Sequence, residues 1–260
     1  MAPQLASNTK WNGNYVFGGD VILQKPHLAS LVAAVIAEWG LAETHLGRVF
    51  AYMIGAKRPI TMSMYEAVKS FEVQRDLLRR VAEETISKRN SDIFAATLTV
   101  LNRASVLRHR FAHWIWGISA DPDLDALLLV EQKHFWHLSI KQFKYHRIVG
   151  IVGVNTKIPI KSILKINALL PRLDPQNIYI YKEQDLVDAV KRMENTMIIA
   201  DKLRRLVSLK GAQRQAIYRQ LYNDADIRSA LDRANIAPPK NNPTLSESPK
   251  KSARKRRSKG

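Results

Sequence analysis

The chain contains no cysteine in 260 residues. That excludes a disulfide framework, a thiolate zinc site and a cysteine nucleophile, and it fits a reducing compartment, so the expected location is cytoplasmic. The opening MAPQLASNTKW lacks the basic and apolar regions of a signal peptide, and none is expected. Long apolar runs are missing too: the longest, Leu28–Ala37, has ten residues and stops at Glu38, against the ~20 that a membrane span needs. There is no P-loop, no dinucleotide-binding glycine fingerprint, no serine-hydrolase elbow and no HExxH. Internal repeats and extended heptad runs are absent as well.

Acidic residues are scarce relative to basic ones, 23 against 41, for a net charge of +18. Residues 240–260 hold eight bases and one acid, a net +7, which leaves +11 over residues 1–239. That excess predicts a polyanionic partner, nucleic acid or an anionic surface, with an ordinary basic exterior as the alternative. Hydrophobic residues at 46% and charged residues at 25% are the balance of a folded globular protein, so disorder is expected only locally. The lysine-, arginine-, serine- and proline-rich stretch 237–260 is where it is expected.

Along the chain, residues 1–20 read as a polar, glycine-rich N-terminal segment. Leu28, Leu31, Val32, Val35, Ile36, Trp39, Leu46, Val49, Phe50 and Met53 then keep a helical period. Gly40 and Gly47 allow a bend or the close approach of another helix, and Gly55 marks the stop. A second helix is expected over 63–88. A third, capped near Asn90-Ser91-Asp92, is expected from Ile93 to Trp116, with Gly117 ending it. Residues 127–130, 135–140, 147–154 and 178–181 read as short strands of a small meander, with a short helix open at 159–170. A helix from Asp185 to Gly211 and a shorter pair over 213–233 follow. The expected organisation is therefore a mainly α domain over 21–210 with short strands inserted at about 126–182, a helical extension over 211–236 and a disordered basic tail.

The sharpest local feature is Arg108-His109-Arg110-Phe111-Ala112-His113, in the last turns of the third helix. Arginine, a polar residue, three further residues and histidine at the end of a long helix resemble the signature of the HEPN superfamily. The surrounding helix layout resembles it as well. The resemblance implies a HEPN-like helical bundle, often dimeric, and in many members a metal-independent endoribonuclease that works in toxin, defence or stress biology without a cofactor. It implies that Arg108 is the phosphate clamp, His113 the acid or base, and His109 the polar residue that orients them. It further implies RNA as partner, a homodimer in which two protomers supply Arg108 and His113, and a cognate antitoxin or nucleotidyltransferase. Other members are non-catalytic modules that bind nucleic acid or protein, which is the alternative reading.

The chemistry also stands on its own terms. RNA cleavage needs a base for the 2′-hydroxyl proton, an acid for the leaving oxygen and a cation on the phosphorane. Five residues along a helix turn Arg108 and His113 about 140° apart, so a composite site across a two-fold dimer is expected. Competing structural readings exist for each residue. Arg108 can snorkel or cap helix-end carbonyls, and His113 can pack beside Trp114 and Trp116. His109 and His113 have a zinc-compatible spacing, but Arg110 between them opposes a cation, and no metal is expected. Trp39, Trp114, Trp116 and Trp136 are either core or a stacking platform for bases. Glu38, Glu43, His45 and Arg75 can line a cleft or lie on solvated helix faces, and are left outside the site. His134 and His137 are expected on a strand or hairpin surface.

Overall fold

The computed structural model describes residues 3–9, 15–18, 20–119, 124–140 and 172–234. The strand and helix expected at 147–154 and 159–170, and the tail over 237–260, lie outside the described residues. What is described is mainly helical with one antiparallel sheet.

Helix α1, Pro26–Ile54, starts on a proline at its first turn and ends at Gly55, whose φ of 70° gives the left-handed cap only glycine adopts freely. Leu28, Val32, Val35, Trp39, Ala42, Leu46, Val49 and Phe50 form its buried stripe. The expected second helix is two helices, α2 (Arg58–Ala67) and α3 (Phe71–Thr85). The apolar stripe of Tyr65 and Phe71 continues through the break, so periodicity alone does not reveal it. Gln74 closes the junction by donating its amide Nε2–H to the Val68 carbonyl at 2.7 Å. Gly47 faces this turn: a Cβ there would lie 2.8 Å from Met62 Cε and 3.3 Å from Tyr65 Cδ1, so the absent side chain lets α2 close onto α1.

Helix α4, Lys88–His113, starts before Asn90, because Ser87 is its N-cap. The apolar residues from Ile93 mark where the helix becomes buried, not where it begins. It ends three residues sooner than expected. Ile115–Ser119 form strand β3 instead, as aromatic and β-branched residues in Trp114-Ile115-Trp116-Gly117-Ile118 favour. Gly117 is a strand position: a Cβ there would meet Phe17 Cδ1 at 2.5 Å and the Val16 carbonyl oxygen at 2.8 Å.

Strand β4 is Ala126–Val130 and β5 is Ile178–Lys182. The N-terminal segment supplies β1 (Gln4–Leu5) and β2 (Tyr15–Phe17), which pair with β5 and β3 and form the two edges in the order β1-β5-β4-β3-β2. The sheet is thus wider than a local meander. Residues 132–140 form a helix, α5, not the expected strand, and carry His134 and His137 with them. Phe-Trp-His-Leu fits either period over so few residues, and the buried Leu138 with Phe135 packing on the sheet selects the helical one.

Helix α6, Glu183–Ser208, follows β5 directly, its Asp185 carboxylate accepting from the Lys182 backbone N–H at 3.0 Å. It packs along α1. Gly211, expected to end it, opens α7 (Gly211–Tyr222) with φ 59°, and α8 (Ala225–Arg233) is capped by Asp224. Leu46, Val49, Leu98, Leu101, Ile199, Leu203, Leu221 and Ile227 knit these helices into one core. Every residue of β4 is buried: Leu127 and Leu129 pack with Trp39, Phe111 and Met193 of the helices, while Ala126, Leu128 and Val130 pack with Leu138 on the opposite face. Among the described residues the architecture is a helical layer, a sheet and, on the other face of the sheet, helix α5. No helix of the described residues is long and apolar enough to cross a membrane.

Candidate functional site

The last three turns of α4 stand clear of the bundle core. Ala104 and Phe111 still pack against the sheet-side core, while Asn102, Ser105, His109 and His113 follow one another at helical spacing on a polar face. That face forms one wall of an open groove of about 670 Å³. Trp39 and Glu43 of α1 form its floor side, and Lys69, Ser70, Phe71, Glu72 and Arg75 from the α2–α3 junction form the other wall. Trp39 meets Phe71 edge-on at 5.0 Å, fixing the junction against α1.

Arg108, His109 and His113 all line this groove. The 140° between the Arg108 and His113 Cα–Cβ directions does not keep them apart, because the groove is broad and an arginine side chain is long. Within one chain the three side chains thus already line one groove, where a second protomer was expected to be needed to bring such residues together.

Arg108 neither forms an ion pair nor caps a carbonyl among the described residues, and its Nε–H is buried without a hydrogen-bond partner. The helix-end cation is Arg110 instead, whose guanidinium carbon lies 5.2 Å over the Trp114 ring and 5.6 Å over Tyr179, on the sheet side. His113 does not pack on the tryptophans. Trp116 lies against Phe111 and Tyr181 and donates its indole N–H to the Phe111 carbonyl at 3.0 Å, and Trp114 meets Tyr179. The ring partner of His113 is His109, with centroids 4.7 Å apart at 46°.

Both histidines are exposed. Partial burial, reinforced by the neighbouring His109 and the Arg108 guanidinium, holds the His113 imidazole below its ordinary value of 6.5. It is therefore neutral at pH 7, the form that accepts a proton. Arg75 is held by Asp76 at 3.2 Å, while Lys69 and Glu43 have no ion-pair partner among the described residues.

A second cavity of about 470 Å³ adjoins the groove, sharing Glu43, Lys69 and Arg108 with it. Gly40, Thr44, Met62, Tyr65, Glu66, Val68 and Gln74 complete its lining. Two of these, Tyr65 and Gln74, are buried and have polar atoms without partners, the Tyr65 hydroxyl and Gln74 Oε1. Burial, helped by the nearby Glu43 carboxylate, pushes the Tyr65 phenol well above its ordinary range.

Sequence reasoning pointed to Arg108, His109 and His113 and noted Glu43 and Arg75. It missed Lys69, Glu72 and Ser105 of the groove, and Tyr65 and Gln74 of the cavity. The polar spacing Asn102–Ser105–His109 was a readable signal for Ser105; nothing local marked the others. Of the residues considered and set aside, His45 lies elsewhere, its Nδ1 3.6 Å from Asp201, which Arg204 holds at 2.6 Å. Trp39 is core, whereas Trp136 is 59% exposed on α5. No group of three metal-ligating side chains occurs among the described residues. No family model, no curated protein and no solved structure matches the chain.

Proposed function

We propose that the chain is a metal-independent endoribonuclease of the HEPN kind, acting in toxin or defence biology, with the scissile phosphate held at the end of α4. One observation carries the reading: Arg108, with a buried and unpartnered Nε–H, shares a groove with His109 and His113, the two other residues of the motif. An unsatisfied guanidinium donor is costly in a buried position, and a phosphate oxygen is the acceptor it matches best. Lys69 adds a second cation to the same groove.

In the proposed reaction a neutral His113 takes the proton of an RNA 2′-hydroxyl. The 2′-oxygen attacks phosphorus, the bond to the 5′-oxygen breaks, and that oxygen takes a proton from a second, protonated imidazole. The products are a 2′,3′-cyclic phosphate and a free 5′-hydroxyl. Arg108 neutralises the charge that builds on the phosphorane. His109, its ring tilted against that of His113, helps to position it and to depress its pKa. A second copy set against this open face would add a second Arg108 and His113, the source of the required acid.

The test is incubation of the wild type and of His113→Ala with mixed RNA in EDTA, reading cleavage and 3′-end chemistry. The expected result is cyclic phosphate ends from the wild type and a loss of about 10²–10⁴-fold in the variant. The acid limb of the pH–rate profile is expected below pH 6.5, the ordinary histidine value, because the base must be neutral and its pKa is lowered. A limb above 6.5 would remove His113 as the base.

One observation favours a second reading, a non-catalytic module that binds RNA. Neither His109 nor His113 has a hydrogen bond to a described residue that would fix its tautomer, an orienting partner that general bases ordinarily have. RNA binding that survives His113→Ala, with no cleavage by the wild type, would select it.

A further inference from the structure

The groove and the adjoining cavity differ in chemistry on the two sides of Arg108. Both are lined by Lys69, Arg108 and Glu43; to these the groove adds Arg75, His109 and His113, donors suited to phosphate, together with Glu72. The cavity instead adds Glu66, Thr44, Tyr65 and Gln74, a set rich in acceptors that brings no further cation. A ligand spanning both has an anionic end and a neutral end bearing N–H donors. That is the layout of a nucleotide.

The cavity also carries unmet hydrogen-bonding demand. Gln74 has its amide nitrogen committed to the Val68 carbonyl at 2.7 Å, so its orientation is set and the free Oε1 is an acceptor only. The Tyr65 hydroxyl is free to donate, and at 2% exposure it lies out of reach of bulk water. Arg108 contributes the third orphan, the donor Nε–H. Glu43 makes no hydrogen bond or ion pair among the described residues. Each unmet group costs stability in the empty state, and a ligand that reaches it returns that cost as affinity.

We propose that this cavity is a base-recognition subsite selective for guanine, so that the nucleotide whose phosphate lies at Arg108 is a guanosine. The proposal rests on the reading of the groove as an RNA site. The lining offers carboxylate and amide oxygens to N–H donors, and a tyrosine hydroxyl and a guanidinium nitrogen to an acceptor. On its pairing edge guanine presents N1–H and the N2 amine next to O6. Uracil presents one N–H between two carbonyls, and adenine and cytosine present one amine beside ring acceptors. Bases splayed out of a single strand are read through this edge. Glu43 accepts the N1–H and N2–H pair, Gln74 Oε1 takes the second amine proton, and Tyr65 and Arg108 donate to O6. Met62 and Lys69, long unbranched side chains, are the adaptable part of the same lining.

The test is calorimetric titration of the full chain with guanosine 5′-monophosphate and its adenosine, cytidine and uridine counterparts, run beside the RNA cleavage assay in EDTA. The guanosine nucleotide is expected to bind at least ~10-fold more tightly than the other three, the scale of one good bidentate pair. Glu43→Gln is expected to bring it level with them. Tyr65→Phe, which removes a buried unpartnered hydroxyl and so preserves the fold, is expected to weaken the guanosine nucleotide selectively. Equal binding of all four by the wild type overturns the proposal, as does a guanosine preference that persists in both variants. Cleavage with no preference for guanosine sinks the subsite and leaves the ribonuclease standing. Absence of both cleavage and nucleotide binding sinks the two together.

Discussion

Helix α4 is two different objects joined end to end. Its first half, from Ile93 to Leu101, is core: Ile93, Phe94, Leu98 and Leu101 are buried, and even the polar Thr97 is satisfied by the Ile93 carbonyl at 2.6 Å. Its last turns present Arg108, His109 and His113 to an open groove, with an orphaned guanidinium nitrogen and two imidazoles whose rings lie 4.7 Å apart. The first half and, further on, Ala104 and Phe111 hold the helix in place, so the polar face of the last turns need not contribute to folding. Side chains that repay little stability are free to be chosen for chemistry, and unmet polar demand collects where a ligand can meet it.

The contrast can be broken at its buried end first. Leu101→Ala should cost about 2–5 kcal/mol, since Leu101 is wholly enclosed. Urea unfolding measures it, and a loss below 1 kcal/mol would mean that α4 is not the centre of the core. Next in size is Gly117→Ala, on the strand that α4 leads into. The new Cβ would press on the Val16 backbone oxygen, which cannot rotate away, and on the Phe17 ring. A loss of about 1–3 kcal/mol is expected, with the β2 edge released first in hydrogen exchange.

At the exposed end the stability effect should nearly vanish. His113→Ala is expected to move the unfolding free energy by less than about 0.5 kcal/mol, while the proposed cleavage is lost. A large stability loss there would show that the helix end is structural after all.

The smallest effect concerns pH. Burial lowers the His45 pKa, with Arg204 and Arg48 adding to it and Asp201 opposing. Between the depressed folded value and 6.5 the unfolded chain binds more protons, so stability rises with pH through that window and is flat above it. His45→Asn should flatten the melting temperature between pH 5 and 7, where the wild type falls as the solution is acidified. A wild-type melting temperature that rises on acidification would contradict the sign.

Much of the helical layer was readable from spacing alone. Leu28 to Phe50 and Leu186 to Leu206 repeat at helical intervals, and each stripe faces the core that their period predicts. The split at Val68–Ser70 was not readable, because Tyr65, Val68 and Phe71 follow at steps of three residues, as they would along one unbroken helix. The run 135–140 was misread as a strand, since four apolar or aromatic residues in six satisfy both periods. Within the candidate site, Arg108, His109 and His113 stood out as a compact motif. Lys69, Tyr65 and Gln74 did not, being 39, 43 and 34 positions away from Arg108 by their numbers.

By itself, then, the sequence determined the helical period of α1, α4 and α6, the basic excess, and the motif at the end of α4. Those depend on the order of neighbouring residues and on side-chain charge. Only the tertiary structure decided that the N-terminal strands would flank β3 and β5 across more than a hundred residues, and that α2 and α3 would wall Arg108 into a groove. The reason is physical. Periodicity records which face of an element is hidden from water, but not what hides it, and a polar atom is left without a partner only when distant segments close around it.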